Sequence, residues 1–270
     1  MFVAASLSLA AQSSPSRGPT RGSLLLKGGI AANTAIDSAF VTLAGGARSH
    51  IVLIPTASLP DDMPAEMLPE VLVFLEQRMK ERFGASAVTV LHTHNRARSD
   101  GEAFVEPLRR ATGVWMLGGF PERLVQSYLG TRTERAIRDL LSRGGVVGGE
   151  SAGAMIQGSW LDSTDEGFTP EIRSLMQRHA AGGGFGLLNR SAVFPHFDAR
   201  GPEAAIKQSA ADPDQLAIGI DDEAALMVKG DQAEVLGRGR VTLYNVPGRA
   251  SAKVVILQPG ERYDLAARRQ

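Results

Sequence analysis

The sequence predicts an α/β fold in three layers: a mostly parallel sheet covered by helices on both faces, with antiparallel strands near the C-terminus. Short runs rich in Val, Ile and Leu alternate with helical patterns from Leu24 onward, which is typical of a buried parallel sheet. At residues 144–158 one such run turns into a helical pattern at a serine. The last third returns to strand patterns at hairpin-like spacing, which favours antiparallel pairing there.

The composition allows a large core and excludes several classes of protein. With 270 residues, the chain suits one large α/β domain. Lys and Arg total 29, and Asp and Glu total 29, so no overall charge attracts nucleic acid or an anionic membrane, and we expect neither as a partner. The chain has no cysteine, which excludes disulfides, thiolate metal sites and cysteine nucleophiles.

The first 22 residues differ from the rest of the chain. Residues 2–12 form a short apolar run, and a Ser-, Pro- and Arg-rich stretch follows it. This is typical of a disordered tail or of a signal-peptide remnant, although the basic residues that begin a signal peptide are missing. We therefore expect a single domain over residues 23–270, located in the cytoplasm, with export as the alternative.

Apolar runs predict the strands. In the first half of the chain they cover residues 24–26, 50–55, 87–91 and 113–117, and the pair at 146–147 is expected to end a short buried strand. In the second half they cover residues 192–194, 216–220, 225–228, 233–236, 241–244 and 254–257. Gly, Asp and Asn residues separate the final four. We expect these four to extend the parallel sheet in antiparallel fashion.

The helical patterns lie between the strands. A long helix over residues 62–83 is predicted with Asp62 as its N-cap and Pro64 in its first turn. Another helix opens at Pro121, and a third follows a Thr-x-x-Glu capping box at 131–134. The glycine-rich stretch 159–186 is predicted to be a lid or a long excursion of the same domain.

Residues 149–153 read Gly-Glu-Ser-Ala-Gly, which fits the G-x-S-x-G turn that presents a nucleophilic serine between a strand and a helix. The turn needs small neighbours because the serine is strained and the strand and helix approach closely. Ser151 is therefore the candidate nucleophile, with the backbone N–H of Ala152 as one oxyanion donor. Similar strings also occur in ordinary turns, so the assignment depends on a base and an acid elsewhere in the chain.

A nucleophilic serine needs a base, which is usually a histidine held by a carboxylate. His196 is the best candidate among the five histidines, because it follows a predicted strand, where open α/β sheets assemble their sites. His50 precedes a strand and His179 lies in the loose stretch, so we expect both to be solvated. The pair His92 and His94 hints at a metal but has no obvious carboxylate partner, so we expect no metal and no cofactor.

Asp221, Asp222 and Glu223 follow the strand predicted at 216–220. Crowded carboxylates repel one another unless a cation such as imidazolium engages one of them. The chain order of serine, histidine and acid differs from the order of serine, acid and histidine in α/β-hydrolases. The turn at Ser151 therefore does not indicate that family.

Six motifs together point to a known family. They are Leu-Leu-Lys-Gly-Gly at 25–29, Ile-Val-Leu-Ile-Pro-Thr-Ala-Ser at 51–58, Leu-Gly-Gly at 117–119, Glu-Ser-Ala-Gly-Ala at 150–154, His-Phe-x-x-Arg at 196–200 and Ala-Ile-Gly-Ile-Asp at 217–221. In this order and spacing the chain resembles cyanophycinase and its relative peptidase E, the aspartyl dipeptidase. These are serine hydrolases on a fold similar to class I glutamine amidotransferases. The resemblance covers the chain from about Leu24 to Val228.

The resemblance implies roles for four residues. Ser151 corresponds to the nucleophile and His196 to the general base, while the Gly119 N–H joins the Ala152 N–H in the oxyanion hole. A glutamine amidotransferase shares the sheet but needs a cysteine nucleophile, which the chain lacks.

The acid of the triad stays open between several residues. By the resemblance it falls at Asp222 when the motifs are aligned without gaps, and at Glu223 by spacing. An acid in the loop after the serine turn, Asp165 or Glu166, is a further alternative.

Two departures from the family concern the substrate cleft. Members resembling cyanophycinase carry acidic residues after the first Gly-Gly, where this chain has Ile-Ala-Ala-Asn at 30–33. They carry a polar pair after the second Gly-Gly, where this chain has Phe120 and Pro121. These changes bear on specificity for β-aspartyl-arginine more than on the hydrolytic residues.

The sequence thus predicts a serine peptidase that hydrolyses small or isopeptide-linked aspartyl peptides, including cyanophycin-like substrates, through an acyl-enzyme. A non-catalytic binding protein that retains the fold is the alternative. Edge strands near the C-terminus are candidates for pairing in a homodimer.

Overall fold

The computed structural model describes residues 16–164, 166–179, 182–212, 214–245 and 253–270. Its strands are β1 (Ser23–Lys27), β2 (His50–Ile54), β3 (Ala87–Val90), β4 (Gly113–Met116), β5 (Val146–Glu150), β6 (Ser191–Pro195), β7 (Leu216–Ile220), β8 (Ala224–Lys229), β9 (Gln232–Gly237), β10 (Val241–Asn245), β11 (Lys253–Leu257) and β12 (Arg262–Asp264). Its α-helices are α1 (Thr34–Leu43), α2 (Leu68–Phe83), α3 (Arg96–Ser99), α4 (Glu102–Arg110), α5 (Pro121–Tyr128), α6 (Arg132–Ser142), α7 (Ala152–Met155), α8 (Pro170–Arg178), α9 (Phe197–Arg200) and α10 (Glu203–Ala211).

The main sheet has eight strands in the order β12-β9-β8-β1-β5-β4-β2-β3. From β1 to β3 in this order the pairing is parallel, whereas β8, β9 and β12 add antiparallel pairs. Leu24 and Leu26 pack in one core and Leu25 in the core on the opposite face, because alternate side chains of a strand point to opposite sides. The predicted α/β fold, with a mostly parallel sheet and antiparallel strands at the C-terminal end, is confirmed.

The C-terminal strands do not all join the main sheet. A second sheet has the order β11-β10-β7-β6, in which β6 and β7 are parallel and β10 pairs antiparallel with β7. The prediction that the final four strands extend one sheet is therefore wrong for β10 and β11. Hairpin spacing indicates antiparallel pairing but does not determine which earlier strand a hairpin joins.

One predicted helix start is wrong, and one predicted helix start is right but has different capping bonds. The long helix begins at Leu68 and not at residue 62. Pro69 has no N–H to donate to the carbonyl four residues earlier, so it is tolerated only in the first turn of a helix. The helix after residue 131 has no capping box: the Glu134 carboxylate accepts from the Gly130 N–H at 2.6 Å, and the Thr131 hydroxyl donates to the Tyr128 carbonyl at 2.7 Å.

Of the two alternatives predicted for the stretch 159–186, the long excursion is right and the lid is wrong, because the described part of the stretch contributes to the core. It contains α8, and Phe168, Ile172 and Phe185 are buried in the same core as the main sheet. Apolar side chains at helical spacing were present there, but the flanking glycines concealed the pattern.

The strand before the serine also differs from the prediction, since β5 begins at Val146 and continues to Glu150.

The described part of the N-terminal segment packs against the domain. Arg17 is buried, its side chain donates to the carbonyls of Arg190 and Asp214, and its N–H donates to the Asp231 carboxylate at 2.7 Å. The segment at Arg17 therefore contacts the folded unit, and the domain boundary at residue 23 stays a prediction. The apolar run at 2–12 lies outside the described residues.

None of the helices in the described ranges has the length and hydropathy needed to cross a bilayer.

Candidate active site

Ser151 lies at the turn between β5 and α7. Its backbone has φ 52° and ψ −117°, a conformation that side-chain-bearing residues rarely adopt and that stores strain. A Cβ on Gly149 would lie 2.3 Å from the Gly153 carbonyl oxygen, and one on Gly153 would lie 2.2 Å from that of Met116. The two glycines of the motif are therefore required by close packing, and the serine is held at the carboxyl end of the sheet.

His196 follows β6 and brings its ring between the serine and an acid. Its Nε2 lies 2.9 Å from Ser151 Oγ, and its Nδ1 lies 2.5 Å from Asp222 Oδ1. A carboxylate can only accept, so Nδ1 carries the proton and donates to Asp222, which leaves Nε2 of the neutral ring to accept from the serine hydroxyl. This arrangement is the one in which a histidine can take a proton from serine.

Contacts from α9 and from the loop after β1 hold Asp222 in place. Its N–H donates to Asp198 Oδ1 at 3.1 Å, and its carbonyl oxygen accepts from the Gly29 N–H at 3.0 Å. A Cβ on Gly29 would lie 2.8 Å from that same oxygen. The loop after β1, in the main sheet, thus holds the acid that follows β7, in the second sheet.

The other two acids of the cluster have partners of their own. Asp221 is buried and pairs with Arg240 at 3.2 Å. Glu223 is exposed and pairs with Arg238 at 2.7 Å. The three adjacent carboxylates therefore each have a different partner, which reduces their mutual repulsion. The partners are Arg240, His196 and Arg238. Of the two candidates, Asp222 is the one that contacts His196.

The further alternatives for the acid lie in the loop before α8. Asp165 lies outside the described residues, and Glu166 is exposed.

The two backbone amides predicted to form an oxyanion hole belong to Ala152 and Gly119. Ala152 begins α7 directly after Ser151. Gly119 lies after β4 with φ +132°, and a Cβ there would be 2.2 Å from the Ala57 carbonyl oxygen. Within the described residues neither amide donates to a protein acceptor. Both N–H groups are thus available to an oxyanion.

A buried network of charges lies beneath Ser151. Arg82 donates to both Asp37 oxygens at 2.9 Å and to Glu150 Oε2 at 3.1 Å. Lys27 is fully buried and donates to the Gly29 carbonyl. Burial lowers the pKa of Lys27 and raises the pKa of Glu150, although the opposite charges nearby oppose both shifts.

The network is connected to the serine through the backbone. Glu150 directly precedes Ser151, and the Ser151 N–H donates to the Lys27 carbonyl at 3.0 Å. This network was not predicted from the sequence. Its signal was present, since a lysine next to Gly28 and a glutamate inside the serine motif are charged residues in otherwise apolar strands.

The histidines outside the site are engaged in other contacts. His92 Nδ1 lies 2.9 Å from the Thr56 hydroxyl, and burial lowers the pKa of His92 to about 4. His94 contacts Asp61 at 3.2 Å. In the described ranges, no group of three or more His, Cys, Asp and Glu side chains is arranged to hold a metal ion.

Two histidines expected to be solvated are not. His179 is mostly buried and lies 3.1 Å from the buried Glu134 carboxylate. His50 is half-buried, with Nε2 3.3 Å from the Thr89 hydroxyl. Both expectations relied on sequence position alone, which does not reveal a partner far along the chain.

A strained serine beside a histidine that contacts a carboxylate is the arrangement found in serine-type peptidases, and the site corresponds to that class. The model of peptidase family S51 matches residues 24–236. The chain belongs to this family.

Comparison with individual proteins agrees with this placement. The chain is 30% identical over 211 residues to the cyanophycinase of Synechococcus elongatus, a match that covers 77% of this chain and 62% of that protein. It is 28% identical over 240 residues to the cyanophycinase of Geminocystis herdmanii, covering 82% and 84%. The chain thus spans less than two thirds of the length of the Synechococcus relative.

A solved structure resembles the fold along nearly its whole length. The crystal structure of a peptidase from an acI-B1 actinobacterium superposes with a TM-score of 0.69 at 25% identity, covering 92% of this chain and 98% of that one. The resemblance to a peptidase fold seen in the sequence is therefore confirmed.

Proposed function

We propose that this chain is a serine peptidase that hydrolyses amide bonds through a triad of Ser151, His196 and Asp222. The observation that carries the proposal is the pair of hydrogen bonds of His196, 2.9 Å to Ser151 Oγ and 2.5 Å to Asp222 Oδ1. Serine, imidazole and carboxylate in this order are what proton removal from a serine requires. Glu223 is assigned no catalytic role, because it pairs with Arg238.

The reaction proceeds in two halves. Ser151 Oγ attacks the amide carbonyl while His196 Nε2 takes its proton, and the imidazolium then protonates the leaving amine. Water then attacks the resulting ester and gives its proton to the same nitrogen. The imidazolium passes that proton to Ser151 Oγ as the ester bond breaks, which releases the acid product and regenerates the serine. Asp222 holds the ring and stabilises the imidazolium.

The oxyanion of each tetrahedral intermediate is assigned to the N–H groups of Gly119 and Ala152. Gly119 lies in a closely packed loop, and Ala152 begins α7 between the closely packed Gly149 and Gly153, so the donors are in position before the reaction starts. Such preorganised donors are each worth about 10²–10³-fold in kcat.

Small aspartyl peptides are the proposed substrates, including the β-aspartyl-arginine isopeptides of a cyanophycin-like polymer. The support is membership of family S51 and the cyanophycinase relatives. Ser151 is 7% exposed, which favours a small or extended substrate over a folded protein.

The proposal is tested with a fluorophosphonate probe and intact-mass spectrometry. We expect a single adduct on the wild type, none on Ser151→Ala, and an unchanged adduct on the control Ser142→Ala, whose hydroxyl caps a helical carbonyl on the exposed face of α6. Peptide hydrolysis is then measured with β-aspartyl and α-aspartyl dipeptides. A folded wild type that forms no adduct between pH 6 and 9 would favour a non-catalytic binding protein.

A further inference from the structure

A pocket of about 200 Å³ lies beside the proposed triad. Its walls are mostly apolar and come from the core of the second sheet and from the segment after α7. The apolar side chains that line it are Met155, Trp160, Leu161, Val193, Phe194 and Phe197. The triad itself makes no use of these side chains.

The pocket is built from the same segments that hold the triad. Pro195 and Phe197, which directly flank His196, both line it. Met155 also lines it, and its N–H donates to the Ser151 carbonyl at 2.9 Å. A group bound in the pocket therefore lies close to the turn that carries His196, the residue that delivers a proton to the leaving amine. The pocket is thus the candidate site for a side chain on the leaving-group side of the scissile amide.

The size and chemistry of the pocket fit an apolar side chain. An apolar protein cavity of about 150 Å³ binds benzene, and this pocket is larger. Trp160 and Phe194 face each other with ring centroids 6.3 Å apart and planes tilted by 41°, so together they form a surface suited to an aromatic or branched side chain.

Two charged residues also line the pocket, and they have opposite signs. Asp162 is half-buried, and its Oδ1 accepts from the Thr164 N–H at 3.0 Å, while Arg200 is exposed. Attraction of a substrate arginine to Asp162 is offset by repulsion from Arg200. The pocket therefore offers no net charge that selects a charged side chain.

The rim of the active site is apolar as well. Ile30 is 61% exposed and Phe120 is 56% exposed, and a Cβ on Gly118 would lie between Ile30 and Ser151, within 2.8 and 3.0 Å of their side chains. Large apolar side chains exposed together beside a nucleophile mark a surface that a ligand covers.

We propose that this pocket binds the apolar side chain of the residue that leaves, so that the preferred substrates are aspartyl peptides carrying Phe or Leu instead of arginine after the scissile bond. The proposal rests on the proposed peptidase function and narrows its substrate class. A difference of one to a few methylene groups in an apolar pocket changes kcat/KM by about 10–200-fold, so the preference is measurable.

The test compares kcat/KM for β-aspartyl and α-aspartyl dipeptides ending in Phe, Leu, Ala or Arg. We expect the better of Phe and Leu to exceed both Ala and Arg by about tenfold or more. Phe194→Gln is expected to remove most of this preference by lowering kcat/KM for the Phe and Leu peptides toward that of the Ala peptide. The matched control is Phe74→Gln on α2, where the ring is 58% exposed. It is expected to leave the preference unchanged.

Binding to Ser151→Ala, measured by calorimetry, tests the pocket without catalysis. Tighter binding of the Phe or Leu peptide than of the Arg peptide supports the proposal even if no turnover is found. Equal or tighter binding of the Arg peptide, or a wild type that labels at Ser151 but cleaves the Arg peptide best, overturns it while the peptidase function stands. A wild type that does not label refutes the peptidase function instead.

Discussion

The Gly29 N–H donates a 3.0 Å hydrogen bond to the Asp222 carbonyl oxygen, which joins the loop after the first strand of one sheet to the loop after a strand of the other. Asp222 in turn lies 2.5 Å from His196. The acid and the base both follow strands of the second sheet, whereas Ser151 follows a strand of the main sheet. The relative position of the two sheets therefore fixes the distance between His196 and the serine. Changes that separate the sheets should weaken catalysis before they unfold the chain.

Asp222→Asn should abolish most of the activity, because Asn does not stabilise the imidazolium and permits the wrong ring tautomer. The expected fall in kcat is about 10⁴-fold, as for the equivalent change in a serine protease triad. Hydrolysis and the rate of fluorophosphonate labelling measure it. Glu223→Gln is the matched control, and it should change either rate less than about threefold, because Glu223 is exposed and paired with Arg238. If Glu223→Gln is the inactive variant, the assignment of the acid is wrong.

Gly119→Ala should reduce kcat by about 10²–10³-fold, because the new Cβ would meet the Ala57 carbonyl at 2.2 Å and displace the amide donor. The control is Gly84→Ala, which also has positive φ but nothing within 4 Å. It is expected to cost some stability and no activity. Steady-state kinetics on both variants, with circular dichroism to establish folding, makes the comparison. Wild-type kcat in a folded Gly119→Ala would exclude this amide from the oxyanion hole.

Arg82→Met should destabilise the fold by about 3–5 kcal/mol, because it leaves Asp37 and Glu150 buried without their shared cation. Urea unfolding followed by fluorescence measures the change. In the exposed pair with Glu223, the matched variant Arg238→Met should cost less than about 1 kcal/mol. Similar losses in the two variants would show that the network beneath the serine contributes no more than a surface ion pair.

His92 should make stability fall with acid. Burial lowers its pKa from 6.5 to about 4, so the unfolded chain binds the proton first as the pH decreases. The contribution is complete above about pH 6.5 and is lost as the pH falls toward 4. The shift from 6.5 to about 4 sets its upper bound at about 3.5 kcal/mol, at roughly 1.4 kcal/mol per pKa unit. Urea unfolding at pH 7 and pH 4.5 should show a smaller loss for His92→Gln than for the wild type. Equal losses in both proteins would contradict the assignment.

Much of the fold could be predicted from local pattern. Buried strands such as β2 and β4 are short apolar runs bounded by turn residues, and the serine motif carries its own turn chemistry. The start of α2 could not be predicted from periodicity, because the apolar spacing continued upstream of Pro69. The location in the cytoplasm and the pairing of edge strands in a homodimer stay predictions.

The sequence by itself determined the α/β class, the family, and the identity of Ser151 and His196 as candidates, because each of these depends on residues that are neighbours along the chain. The choice between Asp222 and Glu223 was left to the tertiary structure. The two are adjacent in sequence and chemically alike, and only the packing of the second sheet against the loop after β1 turns one toward His196 and the other toward Arg238. The buried charge network and the apolar pocket also depend on the tertiary structure, because their residues lie far apart in the chain and come into contact only when the sheets pack.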